Sequence, residues 1–158
     1  MTTFRDCVAV IAPEVDLATL VMDSRNIVFC NYFVAKPTFW RVWLENCEAV
    51  FAIAEEGKTA LAAGQNADTP YKGGGARKVF LIERIASLLL STRQHWKTKA
   101  YNPTLLPYAP LRIAQYPQEL LQMDALKMAM LAQGYPQYMS MFSQIQQSIL
   151  KRMQQVDG

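Results

Sequence analysis

The chain has 158 residues, enough for a single domain with a buried core, and 51% of them are hydrophobic while 18% are charged. This balance excludes a disordered chain, and a net charge of +3 without a Lys/Arg cluster argues against a nucleic-acid partner. The three cysteines form no close pair, which favours a reducing compartment over a disulfide framework. No segment reaches the roughly 20 apolar residues of a spanning helix. The sequence therefore predicts a cytoplasmic protein without a transmembrane segment.

Short strands are predicted near the N-terminus. Residues 8–11 and 27–34 are rich in Val, Ile, Phe and Tyr, which suit a pleated, half-buried surface. We therefore expect residues 1–36 to be a strand-rich segment.

A long amphipathic helix is predicted to follow directly. Pro37 suits the first helical turn, where its missing N–H costs nothing, and Gly57 suits the C-cap. Helical spacing favours core packing for the two tryptophans of this helix, with stacking on a sugar ring as the alternative. The apolar positions that recur at this spacing are Trp40, Trp43, Leu44, Cys47, Val50, Phe51 and Ala54.

A glycine-rich loop is predicted over residues 57–76, with a short helical piece at 59–63 as a possible interruption. Its Gly73-Gly74-Gly75 run precedes a helix start with Arg77 and Lys78, which in principle suits a phosphate. No Gly-Lys-Ser/Thr closes the run, so it is not a Walker loop. A flexible surface loop is the favoured interpretation.

The second predicted helix, residues 77–93, is apolar on almost every side, which indicates burial. Glu83 and Arg84 interrupt it, and charged residues are seldom fully buried unless paired. Two interpretations stay open. Either the two residues have a structural role, with Glu83 capping a buried backbone group, or Glu83 faces a sugar hydroxyl or serves as a base.

The last third is predicted to hold short strand content around residues 97–115 and then a helical hairpin over 118–156. The hairpin contains six of the eight methionines and breaks at Gly134-Tyr135-Pro136. Methionine side chains adapt to varied surfaces, so the hairpin is a candidate for binding a protein partner or its own copy. The overall prediction is an α+β fold that is mainly helical.

Two motifs, taken in order, resemble the C-terminal part of bacterial capsular and surface polysaccharide glycosyltransferases of the GT-A type. The first is Asn31-Tyr32-Phe33-Val34-Ala35-Lys36-Pro37-Thr38-Phe39-Trp40, and the second is Phe80-Leu81-Ile82-Glu83-Arg84-Ile85-Ala86-Ser87. A predicted short strand at 97–101 follows in the order that this family shows. The resemblance covers residues 26–102 and implies a glycosyltransferase-like core at 37–102.

The resemblance also implies a site. Glu83 would supply the catalytic carboxylate, while Asn31, Lys36 and Arg84 would bind the substrate. A nucleotide sugar with Mn²⁺ or Mg²⁺ would be the donor, and a glycan the acceptor.

The sequence departs from this family in one respect. Metal-dependent glycosyl transfer needs close carboxylates, often Asp-x-Asp, and the chain contains no Asp-x-Asp. The residues themselves indicate no metal ligands and no cofactor. We therefore expect a truncated glycosyltransferase-like protein of surface polysaccharide synthesis, and whether it is an active enzyme stays open. The alternative is a non-enzymatic helical interaction module that acts through its Met/Gln-rich hairpin.

Overall fold

The computed structural model describes residues 2–70, 74–93, 95–100 and 112–155, and their regular structure is helical apart from one isolated β-bridge between Asp68 and Ala76. The predicted mainly helical fold is therefore confirmed. The helices in chain order are α1 (Thr2–Ile11), α2 (Pro37–Glu56), α3 (Ala60–Asn66), α4 (Arg77–Thr92), a 3₁₀ helix (Arg112–Gln115), α5 (Pro117–Gln133) and α6 (Gln137–Gln155).

The strands predicted near the N-terminus are wrong. Residues 8–11 belong to α1, where Val8 is buried in a helical register. Residues 27–34 are irregular, and Cys30 and Asn31 adopt the left-handed region with φ of 49° and 57°, which ends any extended run.

The strand content predicted around 97–115 is wrong over residues 97–100, which are irregular. Residues 101–111 lie outside the described residues. After them, residues 112–115 form the 3₁₀ helix.

Helix α2 begins and ends as its sequence predicts. Pro37 occupies the first turn, and Gly57 closes the helix in the left-handed conformation with φ of 68°. An L side chain at Gly57 would be strained in that conformation, so glycine is the residue that ends this helix without a steric cost.

The chain divides into two compact units, residues 1–20 with 26–97 and residues 21–25 with 98–158. The first unit contains α1 to α4 and a continuous apolar core. The single domain over 1–158 stays a prediction. The buried members of the core are Cys7, Phe39, Cys47, Val50, Leu81, Ile85, Ala86 and Leu89.

Two cysteines belong to this core as small apolar groups. Burial raises the pKa of the Cys7 thiol to about 11. Burial, with the charge of Glu48 in addition, raises the pKa of Cys47 to about 12. Both stay protonated at neutral pH, and the thiolate that would act as a nucleophile is not populated.

The second unit contains the predicted helical hairpin, which is confirmed. Helices α5 and α6 are antiparallel, since Arg152 near the end of α6 forms an ion pair of 2.7 Å with Glu119 in the first turn of α5. Gly134 closes α5 with φ of 75°, and Pro136 directly precedes α6. Of the helices in the described part of the chain, none is both long and apolar enough to cross a membrane.

Candidate functional site

Glu83 lies in the middle of α4 and is half-buried. Among the described residues its carboxylate has no hydrogen-bond or ion-pair partner. Arg84 is exposed, and its Nη1 donates a 2.7 Å hydrogen bond to the carbonyl of Phe80 one turn earlier. The two residues are therefore no structural pair, and the hypothesis that Glu83 caps a buried backbone group gains no support.

Asn31 and Lys36 lie in the irregular segment that precedes α2. The Oδ1 of Asn31 is buried and accepts no hydrogen bond from the described residues. Lys36 is exposed and is the N-cap residue of α2, and its carbonyl accepts the N–H groups of Phe39 and Trp40 at 3.0 and 3.2 Å. The backbone of Lys36 thus has a structural role in starting the helix.

The four predicted site residues lie on two elements, the irregular segment before α2 and helix α4. The side chain of Ser87 connects these two elements. Ser87 of α4 accepts the N–H of Val28 at 2.8 Å and donates to its carbonyl at 3.3 Å. Ser87 lies one turn after Glu83, so the segment that carries Asn31 is anchored to the helix that carries Glu83. Between the four site residues themselves, the described atoms form no hydrogen bond and no ion pair.

An aromatic cluster surrounds this segment. Phe33 stacks on Trp40 with 4.5 Å between ring centroids and meets the edges of Phe39 and Trp43 at 5.5 and 6.0 Å. Trp96 meets Phe39 at 5.1 Å. Trp40 and Trp43 therefore pack against other rings, although Trp40 keeps 39% of its surface exposed.

Three polar atoms in and beside the aromatic cluster are buried without a partner among the described residues. They are the Nε1 groups of Trp43 and Trp96, which are donors, and the acceptor Oδ1 of Asn31. A buried unsatisfied group of this kind costs about 1–3 kcal/mol. These orphaned groups depend on tertiary packing, and no pattern along the sequence signals them.

No group of three or more His, Cys, Asp and Glu side chains in the described part of the chain is placed to hold a metal ion. Four acidic residues of the first unit lie on α2, and one of them, Glu55, forms an exposed ion pair of 2.9 Å with Lys78. No described cluster of carboxylates therefore accompanies Glu83.

Helix α5 carries a surface that the sequence analysis did not single out. Leu121, Ala125, Met128 and Ala132 are spaced by four, three and four residues, so they share one side of the helix. All four are exposed, with 65% of Leu121 and 36% of Met128 open to solvent. We call this set the outer face of α5. The spacing was readable in the sequence, but only the structure shows that nothing described covers it.

The opposite side of α5 is the packed side. It carries Met123, which is buried, together with half-buried Leu126 and Met130. Helix α5 is therefore apolar on two opposite sides, whereas its own hairpin covers one.

Helix α6 has one apolar side and one polar side, with Met141 and Leu150 lying between them at 51% and 50% exposure. Its apolar side is buried or half-buried and consists of Tyr138, Phe142, Ile145, Ile149 and Met153. Its polar side is exposed and consists of Ser140, Ser143, Gln144, Gln147, Lys151 and Gln154.

Charged side chains of the hairpin make contacts within the second unit. Asp124 accepts the backbone N–H and the hydroxyl of Ser24 at 2.7 and 2.6 Å. The ammonium of Lys127 lies 5.0 Å from the ring centroid of Phe142, and the Arg152 guanidinium lies 4.5 Å from that of Tyr116. The outer face of α5 contains no charged side chain.

No protein-family model, curated protein or solved structure matches the chain. The resemblance to polysaccharide glycosyltransferases thus depends on the two sequence motifs alone and stays a prediction.

Glu83→Gln is expected to change the free energy of unfolding of the first unit by no more than about 0.5 kcal/mol, since the carboxylate has no described partner to lose. Urea unfolding followed by tryptophan fluorescence measures it, because all three tryptophans lie in this unit. Ser87→Ala is the matched comparison on the same helix. It leaves the N–H of Val28 unpaired and is expected to cost about 1–3 kcal/mol. An equally large loss in Glu83→Gln would show that Glu83 has a structural role.

Proposed function

We propose that this chain is a non-enzymatic helical interaction module that binds a protein partner through the outer face of α5. One observation carries the proposal, namely that α5 is apolar on two opposite sides while the hairpin covers one. A second apolar side on a helix is normally covered as well, because burying apolar surface contributes about 25 cal/mol per Å². A second packing partner would cover the outer face.

The chemistry of this face favours protein over lipid. Helices that bind membrane surfaces combine an apolar side with a polar side rich in Lys and Arg. The polar side of α6 is made of Ser and Gln with Lys151 as its one basic residue. The hairpin therefore has little electrostatic attraction for anionic lipid.

The proposal is tested by photo-crosslinking in cells that produce the protein naturally. A photo-crosslinking amino acid replaces Gln122, which is exposed at the border of the outer face, and in a matched control replaces Gln147 on the polar side of α6. We expect one discrete adduct from position 122, identified by mass spectrometry, that is lost when Met128→Glu is added. Equal and diffuse labelling from both positions would overturn the proposal.

A glycosyltransferase-like role in surface polysaccharide synthesis is the second candidate. The buried, unpartnered Oδ1 of Asn31 favours it, since an acceptor without a donor is available to a ligand hydroxyl. In this hypothesis Asn31 binds a sugar, Glu83 supplies a carboxylate, and Lys36 or Arg84 offsets phosphate charge.

Thermal unfolding with a panel of nucleotide sugars, with and without Mn²⁺, tests this candidate. A ligand that binds only the folded state raises the melting temperature. We expect a selective, metal-dependent rise that Asn31→Ala removes. A flat panel up to millimolar ligand would overturn autonomous donor binding.

A further inference from the structure

We infer that the partner of the outer face of α5 is a second copy of this chain, with the two α5 helices antiparallel. This inference rests on the proposed interaction function and deepens it by naming the partner. Two properties of the outer face support it: the order of large and small side chains, and the lack of charge.

The order of side chains makes the face complementary to itself in one direction only. Along α5 the face reads Leu121, Ala125, Met128, Ala132, which alternates large with small. In an antiparallel pair centred between residues 126 and 127, Leu121 lies opposite Ala132 of the second copy, and Ala125 lies opposite Met128. Every layer then contains one large and one small side chain, the arrangement that lets layers interdigitate.

A parallel pair would lack this fit. It would place leucine on leucine and alanine on alanine, so that two layers would be crowded and two would leave gaps. The antiparallel pair can follow a twofold axis, so that the same patch serves both copies, as a parallel pair also could.

The lack of charge on the outer face also favours a second copy of this chain as the partner. Burying an unpaired charge is costly, so an uncharged face accepts an uncharged surface best. The charged side chains nearest the outer face are engaged elsewhere, with Asp124 bound to Ser24 and Lys127 over Phe142. A second copy of the face meets the first without stripping water from a charge on either side.

The size of the face predicts a weak dimer. A helix of 17 residues is about 25 Å long, and one side of it offers less than the roughly 800 Å² per partner of a standard interface. Associations of this size are transient, and we expect a dissociation constant on the order of tens of micromolar.

Sedimentation equilibrium of the full chain from about 1 to about 500 µM is the first test. We expect the mass to rise from 17.9 kDa toward twice that value. Met128→Glu, which puts a carboxylate in the centre of the face, is expected to keep the chain monomeric throughout this range. Gln147→Glu adds the same charge on the polar side of α6 and is expected to leave the dimer unchanged. Far-ultraviolet circular dichroism checks that both variants stay helical.

A reciprocal exchange tests the antiparallel register. Leu121→Ala opposes alanine to alanine, and Ala132→Leu opposes leucine to leucine, so each alone is expected to weaken the dimer about tenfold. The double variant restores one large and one small side chain in each layer, and we expect its dissociation constant to return to within about twofold of the unmodified chain. A double variant weaker than both single variants would overturn this register.

The remaining outcomes separate this inference from the proposed function. A chain that is monomeric at about 500 µM, with a crosslink from position 122 to another protein, would overturn the second copy and leave the interaction surface standing. A monomeric chain with no specific crosslink would overturn both. A dimer insensitive to Met128→Glu would show that a different face associates.

Discussion

Ile85→Ala is expected to lower the free energy of unfolding of the first unit by about 2–5 kcal/mol. Ile85 is 1% exposed and lies in the apolar core that α4 forms with α1 and α2. Its truncation removes three buried carbon atoms and leaves a cavity that the surrounding helices can close only in part. Urea unfolding followed by tryptophan fluorescence reports on this unit alone, because residues 98–158 contain no tryptophan.

Two further substitutions on the same helix serve as controls for this prediction. Val79 is 51% exposed, and Val79→Ala is expected to change the stability by no more than about 0.5 kcal/mol. Ile85→Val keeps most of the buried volume and is expected to cost about 0.5–1.5 kcal/mol. If Ile85→Ala cost no more than Val79→Ala, the core around α4 would be packed differently from the structure described above.

The elements that the sequence predicted well are helices in which the apolar period is bounded by a proline or a glycine. Helix α2 has Pro37 and Gly57 at its ends and a continuous 3.6-residue period between them, and the hairpin turns at Gly134. Helix α4 was predicted over residues 77–93 and runs from Arg77 to Thr92. Local sequence is sufficient in these cases because glycine permits the left-handed conformation at a helix end and proline fixes φ, whatever surrounds them.

Helix α1 was missed although its period was present. The short run of Val and Ile at residues 8–11 suggested a strand, but Phe4, Cys7 and Ile11 follow one another at helical spacing and pack into the core. Branched residues lower helix propensity only slightly, and burial of one side of the helix outweighs that preference.

The irregular segment at 27–34 failed as a strand for a different reason. A strand needs a neighbour for its backbone groups, and no described strand is available as one. Both backbone groups of Val28 instead bind the side chain of Ser87, which lies 59 residues further along the chain. A contact so distant in sequence leaves no local pattern.

The candidate sites, too, could be predicted from the sequence only in part. That Glu83 and Arg84 share a helix could be predicted, whereas the different environments of their side chains could not. The unpartnered indole groups of Trp43 and Trp96 depend on how α2 packs against residues 95–96. The outer face of α5 could be found from spacing alone, but deciding which apolar side of a helix stays uncovered requires the fold.

Arg25→Ala is expected to cost the second unit about 1.5–3 kcal/mol at pH 7, the range for hydrogen bonds to a charged group. Asp23 is completely buried, and the Arg25 guanidinium binds it through Nη2 at 2.6 Å and Nε at 3.0 and 3.1 Å. The substitution removes the guanidinium hydrogen bonds of a buried carboxylate, while the backbone N–H of residue 25 still donates to its Oδ1. Urea unfolding followed by circular dichroism at 222 nm measures the loss.

The pH dependence of the stability shows whether Arg25 acts through its charge or through packing. Burial raises the pKa of the Asp23 carboxyl, but the hydrogen bonds and charge of Arg25 outweigh burial, and the pKa lies below its ordinary value. A carboxyl whose folded pKa is lowered contributes stability that is complete above its unfolded pKa of about 3.9 and is lost as pH falls through the folded value. The difference in the free energy of unfolding between the unmodified chain and Arg25→Ala should therefore be largest near neutral pH and should vanish in acid.

Arg152→Ala is the matched control, because Arg152 also pairs with a carboxylate in the second unit, but 27% of the Glu119 side chain is exposed whereas that of Asp23 is fully buried. Exposed pairs contribute little, so its loss at pH 7 should be much smaller than that of Arg25→Ala. In Arg25→Ala the pKa of Asp23 should rise, since burial then opposes ionisation with less compensation. If the difference in the free energy of unfolding between the unmodified chain and Arg25→Ala stays constant from pH 7 down to about pH 2, Arg25 stabilises the unit by packing rather than by its charge.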